Sequence, residues 1–326
     1  MLYLLLSCTQ KIEVNEYSCL LDGRSTTEQW NGDFTERRLL FQSGFENNIS
    51  IEEQSSAADD IIGEDVSVSE LGDWELDLEK EPIGSFQIFY SDGNSYQRSS
   101  QLVEDPLNSN NQVIEFRLHE ANEQHITSAN KGRIQFGLNN NHDLFAFSYS
   151  VRIKLEDGFV ALTEQENKLT WLTLAEFWNN NANKAYPFRI TLNLNKEEGV
   201  GQDLFWHVHA QTKESKGVWN NIWEAEAKDV PVSLSEWMTL MIDIKEGCED
   251  TGWFRVRLID EQGIEYTIVD KVGIMQHPND PTPDGFVSFN PLKLYTSEKT
   301  INWVRENGSD LVVLWDDFEL YQGTQD

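Results

Sequence analysis

Positive charge is what this sequence has least of. Lys and Arg number 25 against 56 Asp and Glu, a formal net charge of −31 over 326 residues. A chain this acidic lacks the cations that neutralise phosphates, so a general nucleic-acid binder is excluded. Adsorption to an anionic membrane surface is disfavoured for the same reason. The acidity itself reads as a device for solubility, its repulsion screened in salty surroundings. Cysteine is also rare: Cys8, Cys19 and Cys248 cannot build a disulfide framework in a chain of this length. Long apolar runs are missing, and no segment approaches the roughly 18 residues that a membrane-spanning helix needs. No unit of about 20–50 residues recurs, which argues against propellers and solenoids.

Aromatic side chains, by contrast, are plentiful. The 11 Trp and 17 Phe suffice to fill a substantial core, and the length allows one large all-β domain or two ordinary ones. From "LLFQSGFE" (39–46) onward, short alternating segments lie between Gly, Asn and Asp. Strands are expected at "GDWELDLE" (72–79), "SFQIFYSDG" (85–93), "QVIEFRLHE" (112–120), "GRIQFGL" (132–138), "LFAFSYSVRIKL" (144–155) and "LTWLTLAEFW" (169–178). They continue at "PFRITLNLN" (187–195), "LFWHVHAQT" (204–212), "WMTLMIDIK" (237–245), "GWFRVRLID" (252–260), "IEYTIVDKV" (264–272), "LKLYTS" (292–297) and "LVVLWDDFELY" (311–321). One helix is expected at 297–306. "QSSAADD" (54–60) reads as a loop, and "YSDGNSY" and "IDEQGIEY" read as hairpin turns. These elements predict an all-β sandwich of two large curved antiparallel sheets. The ends "SGFE" (43–46) and "WDDFEL" (315–320) are expected to pair. There Glu46, Asp316 and Asp317 supply hard oxygens for a structural Ca2+, with plain surface carboxylates as the alternative. No other cofactor is implied.

The N-terminal "LLLSC" resembles the lipobox of bacterial lipoproteins, although no basic residue precedes "LYLLL". That resemblance implies lipidation at Cys8, a signal-like segment over 1–8 and a place in the bacterial cell envelope, as an outer-membrane lipoprotein, or secretion. Residues 9–38 then form a polar tether or lead-in, and 39–323 a single domain, expected to be monomeric. Cys19 and Cys248 remain to pair or stay free.

Several strands share a pattern that bears on function. In 187–195, Phe188, Ile190, Leu192 and Leu194 alternate with Arg189, Thr191, Asn193 and Asn195. In 204–212, Phe205, His207, His209 and Gln211 oppose Leu204, Trp206, Val208 and Ala210. Arg133 and Gln135 share a face in 132–138, as do Glu176 and Trp178 in 169–178 and Lys293 and Tyr295 in 292–297. In so acidic a chain, faces that gather Arg, Lys, His and neutral polar groups suit an extended polar ligand carrying negative charge. Trp178, Trp171 and Trp219 are candidates to stack on sugar rings.

The order "KGRIQ", "LAEFW", "PFRITLNLN", "LFWHVHAQ", "PLKLYTS", "LWDDFEL" resembles the jelly-roll polysaccharide lyases of the heparin lyase I and alginate lyase types, over about residues 40–322. It departs from them in the shorter Lys–Tyr spacing of "LKLYTS" and in Glu176, where a Gln followed by Ile-His is the pattern. The resemblance implies a concanavalin A-like jelly roll and β-elimination on a uronate-containing polysaccharide or oligosaccharide. Such a lyase neutralises the uronate carboxylate, takes the C5 proton and protonates the leaving oxygen. By the resemblance, Arg133, Gln135 or Arg189 grips the carboxylate. His207 or His209 takes the proton, and Tyr295 donates to the leaving group beside Lys293. Glu176, Trp178, Asn193 and Lys293 line the substrate.

Two other functions fit the same patterning. "ELDLE" (75–79) resembles the Glu–x–Asp–x–Glu strand of laminarinases and lichenases, with Glu75 as nucleophile, Asp77 as helper and Glu79 as acid/base. A non-catalytic glycan-binding lipoprotein would keep the groove and its aromatics and lack only the proton-transfer geometry.

Overall fold

Strands with one apolar and one polar face bury the apolar one by stacking as two sheets. A computed structural model describes residues 37–46, 48–80, 82–125, 128–141, 144–180, 184–213 and 218–324, together with the backbone of 12–14. In chain order the strands are β1 (Ile12–Val14), β2 (Arg38–Ser43), β3 (Ser50–Ser55), β4 (Ala58–Ile62), β5 (Ser85–Phe89) and β6 (Arg98–Asp105). Next come β7 (Asn108–Leu118), β8 (Lys131–Asn139), β9 (Ala146–Leu155), β10 (Thr173–Asn180), β11 (Phe188–Lys196) and β12 (Leu204–Lys213). The last six are β13 (Trp219–Ala227), β14 (Trp237–Lys245), β15 (Trp253–Ile259), β16 (Glu265–Val272), β17 (Ser288–Ser297) and β18 (Leu311–Gln322). Helix α1 (Gly158–Thr163) follows β9, and α2 (Glu298–Glu306) follows β17.

Among the described residues these strands form a ten-stranded sheet ordered β1-β13-β12-β11-β10-β17-β8-β5-β4-β3. The second sheet runs β16-β15-β14-β9-β18-β7-β6, with β2 paired to β18. All pairings between these strands are antiparallel. The chain is therefore an all-β jelly-roll sandwich. Ile190, Leu192, Leu194, Trp206, Val208, Leu292 and Leu294 face inward from the first sheet and are fully buried. They meet Tyr149, Val151, Ile153, Ile242, Phe254 and Phe318 from the second within one core. Each such side chain contributes about 1.5–3 kcal/mol on burial. Phe177 of β10 and Phe254 of β15 touch across the gap, ring centroids 5.8 Å apart.

Three local expectations hold. Helix α2 begins at Ser297, whose Oγ accepts from the Thr300 backbone N–H, and it buries Ile301 and Val304. "IDEQGIEY" closes the β15–β16 hairpin with Gly263 at φ 77°, a backbone that glycine adopts without strain. The ends of the domain also meet, Ser43 lying opposite Phe318.

Others do not. "YSDGNSY" joins β5 and β6, which belong to different sheets, so it is a crossover and not a hairpin. The buried Tyr90 anchors that corner: its hydroxyl bonds to Asp59 and Ser100, and the Arg98 guanidinium lies 3.4 Å above its ring. "QSSAADD" is mostly the β3–β4 hairpin, its turn confined to residues 56–57. Strands β1, β6 and β13 fall in segments to which the sequence pattern assigns no strand. In "WNNIWEAEA" the Asn and Glu residues mask an alternation that buries Trp223, Ala225 and Ala227.

The largest correction concerns "ELDLE". Residues 74–79 form successive turns, with Trp74 and Leu78 fully buried. Their four-residue spacing, not the alternation of the acids, governs the backbone. Trp74 packs against Phe41, Phe45 and Phe86 at 4.8, 5.5 and 5.3 Å. Glu75 accepts from the Gly63 amide and Asp77 from the Asp73 amide. Glu75, Asp77 and Glu79 therefore share no strand face, and the hydrolase carboxylate row is not formed.

Candidate active site

Antiparallel pairing places directly opposite residues on the same face, so the register of the ten-stranded sheet decides which polar side chains meet. One row runs Glu224, His209, Thr191, Glu176 and Asn290 across β13, β12, β11, β10 and β17. The adjacent row runs Glu226, His207, Asn193, Thr173, Tyr295 and Arg133. A third brings Asn221, Gln211, Arg189 and Trp178 together, and Lys293 sits opposite Gln135. Every residue expected on the polar face lies on it.

At its centre Glu176 is 5% exposed and Lys293 2% exposed. One Glu176 oxygen accepts from Lys293 Nζ, and the other accepts from Arg189 Nη1 at 3.1 Å. Burial pushes the Glu176 carboxyl up, but the two cations outweigh it and hold the group at about 2. Burial likewise draws Lys293 down, to about 8, against the opposing pull of Glu176. The trio carries a net charge of +1 at neutral pH. Arg189 is fixed further by two bonds to Gln211 Oε1, at 3.1 and 2.8 Å, and its guanidinium lies 3.9 Å above the Trp219 ring. Trp178 meets Trp219 edge-on at 5.6 Å.

Tyr295, half-buried, lies on the β8 side of this trio. Arg133 and Lys293 approach its ring centroid to 4.7 and 4.9 Å, Lys131 to 5.7 Å, and Trp171 packs beside it at 4.9 Å. Arg133 is paired with Glu123 at 2.9 Å. On the other side, His207 and His209 meet edge to face at 5.1 Å. Burial, then His207 and Arg189, drive His209 down to about 3. Burial lowers His207 too, against the opposing Glu224, 3.7 Å from its Nε2. Both imidazoles are neutral near pH 7. His207 Nδ1 and Gln135 Oε1 are buried without a hydrogen-bond partner.

The histidines and the tyrosine share a face but not a position. Three strand steps separate His207 from Tyr295, about 14 Å between backbones. Sequence reasoning collected the right face but missed Glu123, Glu224 and Glu226, the carboxylates that flank its cations and imidazoles. Glu224 and Glu226 sit in a strand whose polar residues mask its alternation, and Glu123 lies in the loop before β8 at an isolated bridge to Lys131.

Glu46, Asp316 and Asp317 are brought near one another at the β2–β18 pairing. Asp316 Oδ2 accepts from Asn111 and from Arg152 at 2.9 and 3.1 Å, and its Oδ1 from the Asp317 amide. Glu46 accepts from the Gln112 amide, and Asp317 contacts Arg152. Oxygens already facing a guanidinium and amides do not fit a hard-cation cage. No group of three or more His, Cys, Asp or Glu suited to a metal occurs among the described residues. Cys8 lies outside the described residues. Cys248 is disulfide-bonded.

No protein-family model and no curated protein matches the chain. Among solved structures, a PL-14 alginate lyase from Aplysia kurodai is 11% identical, covering 86% of this chain and 98% of its own, with a TM-score of 0.48. Alginate lyase vAL-1 from Chlorella virus is 11% identical over 70% of this chain and 90% of its own, with a TM-score of 0.38. The exoplasmic/lumenal domain of VIP36, in a Ca2+/Man3GlcNAc-bound form, is 14% identical over 76% and 87%, with a TM-score of 0.39. At these identities the likeness is one of fold.

Proposed function

We propose that the chain is a polysaccharide lyase that cleaves a uronate-containing glycan by β-elimination. The observation that carries this reading is a half-exposed tyrosine, Tyr295, ringed by Arg133, Lys293 and Lys131 beside the Glu176-bridged pair of cations. Lys293 and Arg189, with one net positive charge, neutralise the uronate carboxylate so that enolate charge can develop. The Tyr295 oxygen takes the C5 proton. The electron pair forms C4=C5, the C4–O bond breaks, and the same proton passes to the leaving oxygen. His209, with a pKa of about 3 in the free site, is a poor base for carbon at neutral pH. The histidines act instead as hydroxyl partners further along the groove, while Asn193, closed to solvent and bonded to Thr173 and Thr191, supports the face from beneath. We place the protein outside the reducing cytosol, because its Cys248 disulfide suits an oxidising compartment. Anchoring through Cys8 belongs to the same proposal.

A second reading, glycan binding without catalysis, draws on the aromatic platform: Trp178 and Trp219 meet edge-on, with Arg189 against the Trp219 ring. Incubation with alginate, glucuronan and glycosaminoglycans separates the two. A lyase generates the ultraviolet absorbance of an unsaturated uronate, whereas a binding protein retains the polymer and generates none. Absence of that absorbance on every uronate polymer, with binding intact, would sink the lyase.

A further inference from the structure

The segment between β16 and β17, residues 273–287, crosses from one sheet to the other. Its backbone is tied near both ends. The Met275 amide donates to the Gly247 carbonyl at 2.8 Å, and the Phe286 amide to the Leu144 carbonyl at 3.1 Å. Two acids fasten it further. Asp280 accepts from Asn180 Nδ2 at 2.9 Å and from the Thr282 amide at 3.1 Å. Glu246, just past β14, accepts from the Gly285 amide at 2.9 Å and, through its other oxygen, from Asn179 Nδ2. Gly285 presents that amide at φ 90°, where an added Cβ would meet the Leu144 carbonyl oxygen at 3.0 Å. Asn179 and Asn180 end β10 and directly follow Trp178 of the candidate active site.

The two most buried acids in contact with β10 differ in their company. Glu176 sits between two cations. Glu246, also closed to solvent, meets only the amides of Asn179 and Gly285, and the charges acting on it, Asp284 and Asp280, are both negative. Burial pushes its carboxyl well above the ordinary range. The bonds from Gly285 and Asn179 oppose that shift, and the two acids add to it. A protonated carboxyl is donor and acceptor at once. It keeps the Gly285 amide and, with the Asn179 amide turned over, donates to Asn179 Oδ1, which is buried without a partner. His277 titrates in the same segment, where it packs on Tyr186. Burial lowers it, against the pull of Asp280, so its titration favours the held segment as pH rises. Glu246 acts with the opposite sign.

We propose that residues 273–287 form a pH-gated strap, fastened to the end of β10 by the protonated Glu246 carboxyl and released as that group ionises. It does not rest on the lyase reading. In the released strap Glu246 meets water and ionises in the ordinary glutamate range, whereas the held strap retains the proton. The held state therefore loses ground as pH rises from that range to the raised value, and levels off beyond it. The test is hydrogen exchange of the full chain, read as protection factors at about pH 5 and about pH 8. Residues 273–287 are expected to lose about tenfold or more in protection over that interval, the effect of one pKa unit, while the amides of β7 keep theirs. Glu246→Gln, a permanent donor and acceptor, should lose less than about threefold. Should that variant fail to fold, as judged by its melting curve, Asp284→Asn replaces it. With one repelling charge gone, its loss should be smaller than that of the wild type by about threefold. The proposal is overturned if strap protection is the same at both pH values, or if the variant loses as much as the wild type.

Discussion

Glu176 and Lys293 stand 117 positions apart in the sequence yet share a hydrogen-bonded ion pair beneath the polar face, nearly closed to solvent. Arg189 completes the cluster from the next strand. One carboxylate between two cations keeps both charged under burial and leaves one positive charge in excess.

Breaking this pair from one side strands a buried charge. Glu176→Ala is expected to destabilise the fold by about 3–5 kcal/mol. The double variant Glu176→Leu, Lys293→Met is expected to recover most of that loss, because the buried Lys293 charge goes with its partner and Arg189 keeps its two bonds to Gln211. Urea unfolding of the single and double variants measures both.

Acid weakens the same cluster. The Glu176 carboxyl sits at about 2 in the fold against an ordinary 4.5. A depressed carboxyl contributes stability above its unfolded pKa and loses it as pH falls through the folded value. Stability should therefore fall between about pH 4.5 and pH 2, with a shallower fall in Glu176→Gln. Thermal melts across that range check it.

Base weakens substrate grip. Lys293 titrates near 8, so its charge, and with it carboxylate affinity, is lost as pH rises through that value. KM for the uronate polymer is expected to rise above about pH 8. Lys293→Arg should move that limb to higher pH, since a guanidinium keeps its proton. A pH profile of KM in the two proteins decides this.

Tyr295→Phe removes one oxygen from a half-exposed ring and leaves its packing against Trp171. Turnover should fall by about 10²–10⁴-fold with polymer binding retained, the loss typical of a missing proton-transfer group. The rate of unsaturated product formation and a binding isotherm on one preparation test it.

Trp219→Ala takes away the ring under Arg189. Polymer affinity should fall while the rate at saturating substrate changes little, because the Trp219 strand itself lies four strand steps from Tyr295, about 19 Å, and Arg189 keeps its bonds to Glu176 and Gln211. Steady-state kinetics separates the two parameters.

The sequence by itself determined the sandwich and the polar face. Phe188 to Asn195 and Leu204 to Gln211 alternate so regularly that only a two-sided strand satisfies them, and a period of two fixes which side chains share a side. It also brought the segments 43–46 and 315–320 together, and the structure sets their register at Ser43 and Phe318. Tertiary structure decided the rest. Trp74 and Leu78 turned an acidic alternation into buried turns, because two large apolar groups outweigh the pattern of exposed acids. "YSDGNSY" became a crossover because Tyr90 found Asp59 and Ser100 at the corner of the sandwich. Strand order placed His207 three strands from Tyr295 and Glu176 between two cations. Alternation reports the side of a sheet, whereas distance across it depends on which strands become neighbours, and that choice is made by long-range packing.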